Sequence, residues 1–383
     1  MTFLTEILKY QKHQIHENVD LTHDFSIVQS EHSIVDYLEL ADHAQTSIKK
    51  HAKNLAKYPD PRGYLPLREL IQFKKFKHTA TIDNIWITNG AAGAFILICD
   101  ILLKPGDTVL VEQYCYQGFL RELRKRKANI IQVEADQDGL SPEALEHTLI
   151  KLKKEKKTPK FIHLMSNFQN PTTSSLPLDR RQAIIELAHQ YKTPLIENDS
   201  YADFCLENKT NLPSLYDLSS YDNVIYLSSF TKLLGCSIRV GFLVAPDILS
   251  ELINHAMYGH SPSEITTTCI HSYLETHYDS IVKKTAEKLL AKRDTMIEAV
   301  TNHFPQGTRF NTPQGGMFLW LRLPHQLNSE DLLHQSLKQG IGFLPGTCFG
   351  NDPVAKQYLR LCFSHNETDT IYQGVEMLGN ILR

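Results

Sequence analysis

Residues 224–241 read VIYLSSFTKLLGCSIRVG. The run Val224–Leu227 is apolar and rich in β-branched and aromatic side chains, which reads as a short buried strand. It delivers Ser228-Ser229-Phe230-Thr231-Lys232 to its carboxyl end, with Arg239 seven residues past the lysine and a second apolar run over Val240–Val244. The segments upstream repeat this layout. Asn84–Thr88, Thr108–Glu112, Lys160–Met165 and Pro194–Glu197 read as strands, and Ala91–Leu103 and Asp179–Tyr191 read as helices. The second helix carries Ile184, Ile185, Leu187 and Ala188 at helical spacing. Strands alternating with helices predict an α/β fold with a mostly parallel central sheet covered on both faces. In such sheets ligands bind beyond the carboxyl ends of the strands, so the residues of interest follow the apolar runs.

The pattern changes on either side. The first forty-odd residues are polar and irregular, and Tyr58-Pro-Asp-Pro-Arg-Gly63 reads as a turn before a helix starting near Leu65. After Pro246 a long helical region runs to about Val300, followed by Gly315–Leu323, a helix near Ser329–Gln339 and short strands around Gly342 and Leu359–Phe363. The expected division is an N-terminal segment (1–45) packing with the small domain, a large domain (46–255) and a smaller α+β domain (256–383).

Apolar residues make up 42% and charged residues 22%, with a net charge of −3. That composition suits an ordinary globular protein and gives no electrostatic reason to expect a nucleic-acid or membrane partner. No apolar run is long enough to span a bilayer. The opening MTFLTEILKYQKHQIHE has no basic-then-apolar order and no small-residue cleavage site of a secretory signal. Seven scattered cysteines with no C-x-x-C pair predict free thiols and a cytoplasmic location. Eighteen histidines form no metal-binding spacing, so no metal is expected. Lys151–Lys160 reads as a solvated helix face.

Lys232 with Ser229, Thr231 and Arg239 suits an aldehyde that also carries a phosphate. A lysine amine that sheds its proton can condense with an aldehyde, and hydroxyls with a guanidinium fork can bind phosphate oxygens. An ordinary Ser/Thr loop with surface basic residues reads the segment equally well. Thr88-Asn-Gly-Ala-Ala-Gly93 tips the balance. Its small residues lie between a strand and a helix, and the free N–H groups of Ala91 and Ala92 form an anion site at a helix N-terminus.

Taken together, the motifs resemble the class I/II aminotransferases of pyridoxal 5′-phosphate (PLP) fold type I, especially the broad-specificity aromatic and aminoadipate branch. They run from about Tyr58 to the C-terminus. In order they are Tyr58-x4-Gly63, Asn89-Gly90-Ala-Ala, Pro105-Gly106-Asp107, Asn170-Pro171-Thr172, Glu197-x3-Tyr201, Ser-Phe-Thr-Lys232-x6-Arg239, Gly315-Gly316-Met-Phe-Leu-Trp, Pro345-Gly346 and Leu359-Arg-Leu361.

The resemblance implies a PLP-dependent transaminase that exchanges an amino group between an L-amino acid and a 2-oxo acid. Lys232 would hold the cofactor as a Schiff base and move the proton at Cα. Ser229, Thr231, Arg239 and the Ala91–Ala92 amides would bind its phosphate. Tyr58 would reach the phosphate of a partner subunit's cofactor, which implies a homodimer with shared sites. Tyr116 would stack on the pyridine. Asn170 and Tyr201 would bond its phenolic oxygen, and Arg360, an arginine between Leu359 and Leu361, would bind the substrate α-carboxylate.

The chain departs from the family pattern at several places. The acid expected three residues before the tyrosine, paired with the pyridine nitrogen, is Asn198, with Asp199 next to it. Successive strand side chains face opposite ways, so both are candidates, with the spacing favouring Asn198. Ala91 and Ala92 replace a polar pair, Tyr114 a proline, and Cys236-Ser-Ile238 a Pro-Gly segment. Asp20-Leu-Thr-His-Asp-Phe25 lacks the glycine-containing motif that covers substrate. Asn198 and this N-terminus keep a second outcome open, a PLP-dependent lyase or cyclase. A PLP-sensing regulator would need a DNA-binding module, and the chain opens almost directly on the enzyme-like part.

Overall fold

Val224–Ser229 forms a strand whose six residues are all buried. A strand covered on both faces has to be apolar throughout, and this run satisfies that as far as Leu227 before its two serines. The computed structural model describes residues 21–29, 33–77, 79–207, 212–219 and 223–383.

Seven strands make the main sheet: β1 (Ile85–Thr88), β2 (Thr108–Glu112), β3 (Asn129–Val133), β4 (Ile162–Leu164), β5 (Leu195–Asn198), β6 (Val224–Ser229) and β7 (Gly241–Val244). Their order is β1-β7-β6-β5-β4-β2-β3. All neighbours are parallel except β7, which runs antiparallel to both β1 and β6. The fold is therefore α/β with a mixed, mostly parallel sheet. Two apolar clusters cover it. One gathers Trp86, Phe95, Phe119 and Phe161, and the other runs through Phe76, Tyr226 and Phe242 towards the C-terminal part of the chain.

A second, antiparallel sheet contains β8 (Arg309–Phe310), β9 (Phe318–Arg322), β10 (Leu344–Pro345) and β11 (Tyr358–Cys362), ordered β8-β9-β11-β10. The N-terminal segment joins this region. His23–Asp24 pairs in parallel with Ile341–Gly342, and Cys362 donates its N–H to the Phe25 carbonyl.

The structure corrects the sequence reading at two places. The polar opening contains a helix, Tyr37–His51, capped by Asp36, whose side chain accepts from Leu38 N and Glu39 N at 3.0 Å. Only Ser47 of this helix is buried, so it has little apolar stripe to detect. Residues 1–20 and 30–32 of the opening lie outside the described residues. The helical region after Pro246 is two helices, Ser250–Ala256 and Glu264–His303. Gly259 at φ +78° and Pro262 separate them. No helix among the described residues is long and apolar enough to cross a membrane.

Candidate active site

The carboxyl ends of β5 and β6, the start of β7 and the first turn of helix Gly90–Leu102 converge on a cavity of about 150 Å³. One end is a narrow cradle. The Asn89–Gly90 turn leads β1 into the helix with Gly90 at φ +74°, a conformation that costs an L side chain about 1–2 kcal/mol. A Cβ at Gly90 would lie 3.1 Å from Arg239 Nη2 and 3.2 Å from Thr231 Oγ1, and one at Gly241 would lie 2.7 Å from the Gly90 Cα. Backbone and guanidinium approach this closely only because both positions are glycine.

Arg239 itself sits at φ +53°, the left-handed region that non-glycine residues occupy under constraint. Its Nη1 donates to Thr231 Oγ1 at 3.4 Å and its Nη2 to the Asn89 carbonyl at 3.3 Å. Ser229 Oγ donates to Thr231 Oγ1 at 2.8 Å, and the Thr231 N–H donates back to Ser229 Oγ at 3.1 Å. Ala91 and Ala92 line the cavity at the positive end of the helix. This arrangement suits a phosphate dianion, with backbone N–H groups, hydroxyls and a fixed fork aimed at one point.

Lys232 lies one residue into the short helix Thr231–Leu234. Its Nζ donates to the Val28 carbonyl at 2.5 Å and lies 3.5 Å from Cys236 Sγ, with no carboxylate paired to it among the described residues. Across the cavity Tyr116 precedes helix Gln117–Lys125. Its ring folds back over Gly118, where a Cβ would meet it at 2.5 Å. Phe119 lines the cavity beside it. Behind Phe119, burial holds His163 neutral, with its pKa down to about 3, and Nε2 has no partner among the described residues.

Asn170 joins two groups. Its Oδ1 accepts from Arg360 Nη1 at 2.9 Å, and its side chain lies beside the Tyr201 phenol. Burial pushes that phenol well above its ordinary value, opposed by the Arg360 guanidinium and the Asn170 amide. Arg360, on β11, is 1% exposed. Its Nη2 donates to the Ser26 carbonyl at 2.7 Å, its Nε has no partner, and no carboxylate pairs with it among the described residues. Its guanidinium carbon lies 4.4 Å from the centre of the Phe318 ring, and burial draws its pKa down. A buried guanidinium without an anion is costly, and a substrate carboxylate would balance it.

Of the residues singled out in the sequence, Ala91, Ala92, Tyr116, Asn170, Asn198, Tyr201, Ser229, Thr231, Lys232 and Arg239 line this one cavity. Arg360 stands behind it, one hydrogen bond away through Asn170. Two candidates lie elsewhere. Asp199 as a cavity residue is corrected: β5 alternates, Asn198 faces the cavity, and Asp199 turns to the opposite side. There Asp199 accepts from Asn167 Nδ2 at 2.8 Å and the Tyr226 hydroxyl at 3.0 Å. Glu197, on the same face, caps the helix Leu215–Leu218 by accepting from the N–H groups of Leu215 and Tyr216. Burial raises both carboxyls, and their proximity adds to the effect at Glu197. Tyr58 is 98% exposed and outside the cavity of its own chain.

The sequence reading passed over Ser200, Val28 and Met165, which also line the cavity. A signal existed for Ser200: an Asn two residues before a Ser is the pattern of an Asx-turn, which forms here. Nothing local marked Val28, whose backbone carbonyl makes its contact.

The family model for aminotransferase class I and II matches residues 32–378. The chain is 30% identical over 352 residues to the 2-aminoadipate transaminase of Thermus thermophilus, covering 90% of this chain and 86% of that one. It is 27% identical to aromatic-amino-acid aminotransferase 1 of Thermococcus litoralis, with 88% and 82% covered. It superposes with a TM-score of 0.86 and 26% identity on a Thermus thermophilus α-aminoadipate aminotransferase solved with N-(5′-phosphopyridoxyl)-L-leucine, covering 100% of this chain and 94% of that one.

Proposed function

The chain belongs to the class I and II aminotransferases, and from that premise we propose how its own residues divide the work. It is a PLP-dependent transaminase that exchanges an amino group between an amino acid and a 2-oxo acid. The observation that carries the assignment of roles is the placement of Lys232 in one cavity with a cradle built for a phosphate. PLP, when bound, condenses with amines and accepts the electron pair left at Cα when a proton leaves.

In this reading Arg239, Thr231, Ser229 and the Ala91–Ala92 amides hold the phosphate. Lys232 would hold the aldehyde carbon, and its freed amine would move the proton at Cα. Tyr116 would lie against the ring. Asn170 and Tyr201 would donate to the phenolic oxygen, and Arg360 would bind the substrate α-carboxylate. The relatives' names support 2-aminoadipate and aromatic amino acids as the first donors to try.

The two sheets support a division into 46–255 around the mostly parallel one and 256–383 around the antiparallel one, with the N-terminal segment pairing at Ile341–Gly342. A homodimer is supported by the nearly complete exposure of Tyr58, the residue that the family resemblance assigns to a partner's phosphate. A cytoplasmic location is supported by the free thiols of Cys99, Cys115, Cys236, Cys269, Cys348 and Cys362.

The test is the absorbance of the purified protein with amino acids and no oxo acid. A visible-to-near-ultraviolet band that disappears on amino-acid addition and returns with a 2-oxo acid supports the assignment, provided Lys232→Ala abolishes it. Ammonia and oxo acid accumulating under a persistent band would indicate elimination instead.

A further inference from the structure

Asn198 ends β5 at the carboxyl edge of the sheet, where an acid would be expected from the family resemblance. Its Oδ1 accepts twice from Ser200, from the backbone N–H at 3.2 Å and from Oγ at 2.6 Å. A backbone N–H can only donate, so the orientation of the amide is fixed: oxygen towards Ser200, nitrogen away. Nδ2 has no hydrogen-bond partner among the described residues and is not enclosed by protein. Because Asn198 lines the cavity, the group it presents there is an N–H donor.

Among the described residues the charges around it have one sign: no Asp or Glu lines the cavity, and its charged residues are Lys232 and Arg239. The amides of Ala91 and Ala92 add the positive end of a helix, and Arg360 lies behind Asn170. Tyr201 and Tyr116 present phenols, and His163, beneath Phe119, is neutral. The two nearby carboxyls, Glu197 and Asp199, face the other side of the strand and are occupied there.

We propose that Asn198 donates its Nδ2–H to the pyridine nitrogen of PLP and so keeps that nitrogen unprotonated. An N–H donor bonds only to a lone pair. A protonated nitrogen would set two donors head to head, with no carboxylate among the described cavity residues to offset its charge. A neutral ring is a weaker electron sink, so charge at Cα stays short-lived, which favours passing the proton on through Lys232 over expelling a β-substituent. The proposal rests on the reading that PLP occupies this cavity with Lys232.

The experiment is nitrogen-15 NMR of the full chain reconstituted with PLP labelled at the ring nitrogen, alongside Asn198→Asp. Wild type should resonate at the position of an unprotonated pyridine, and N198D should shift to that of a pyridinium. A pyridinium resonance in wild type, or an N198D resonance that does not move, overturns the proposal. The wild-type resonance decides by itself should N198D fail to fold. The absorbance band lost in K232A is recorded on the same samples. A wild-type band with a pyridinium nitrogen defeats this proposal alone, whereas no band and no retained label defeats the cavity reading with it.

Discussion

Arg360 and Asn170 are joined by a hydrogen bond of 2.9 Å from Nη1 to Oδ1, across 190 residues of sequence. The bond ties the proposed carboxylate site to the pair proposed to face the cofactor's phenolic oxygen, since Asn170 lies beside Tyr201. Arg360→Ala should therefore raise KM for every α-carboxylate substrate by about ten- to a hundredfold, the range expected for losing a charge-assisted pair worth about 1.5–3 kcal/mol. Steady-state kinetics on several donors check this. Unchanged KM values would make Arg360 purely structural.

Gly90→Ala places a Cβ at φ +74° within 3.1 Å of Arg239 and 3.2 Å of Thr231. The backbone strain is about 1–2 kcal/mol. PLP should dissociate about tenfold more readily, measured by equilibrium dialysis. Retention at the wild-type level would place the phosphate elsewhere.

Asp199→Ala should destabilise the fold by about 2 kcal/mol, because Asn167 and the Tyr226 hydroxyl lose a buried acceptor. The absorbance of the bound cofactor should not move. A spectral shift without loss of stability would return Asp199 to the cavity.

Glu112 is buried at the end of β2, accepting from the Met165 N–H at 3.1 Å and Gln169 Nε2 at 3.2 Å. Burial pushes its carboxyl up to about 8 from 4.5, with those bonds opposing. The folded state therefore binds the proton more tightly than the unfolded chain does. Its contribution to stability is full below pH 4.5 and is lost as pH rises to about 8, at no more than about 1.4 kcal/mol per unit. Glu112→Gln should flatten that decline in urea melts recorded from pH 5 to 8. A wild-type slope retained in E112Q would assign it to another group.

The mostly parallel sheet and the grouping of the cradle residues were legible because their signals are local. Buried strands are apolar runs, and Asn89-Gly90 and Thr231-Lys232 sit immediately after such runs. The choice between Asn198 and Asp199 needed only strand alternation once the end of β5 was known. Helix Tyr37–His51 was not legible, since it buries almost nothing of its own and packs its sides on Glu264–His303. Nor was Val28, because a backbone carbonyl reaching Lys232 leaves no trace in side-chain identity.

The carbonyls of Ser26 and Val28 occupy the Arg360 fork and the Lys232 amine, and Gln29 holds Ser364 in the same stretch. At the Arg360 fork, in its proposed role, an incoming carboxylate exchanges with its host's own main chain, and the measured affinity is the difference between two ligands. A carboxylate outcompetes a neutral carbonyl at a guanidinium, whereas an uncharged amine or alcohol gains little by the exchange. Such an entrance screens for the amino-acid headgroup before any side chain is read, and it does so through main-chain oxygens that side-chain swaps within residues 26–29 leave in place.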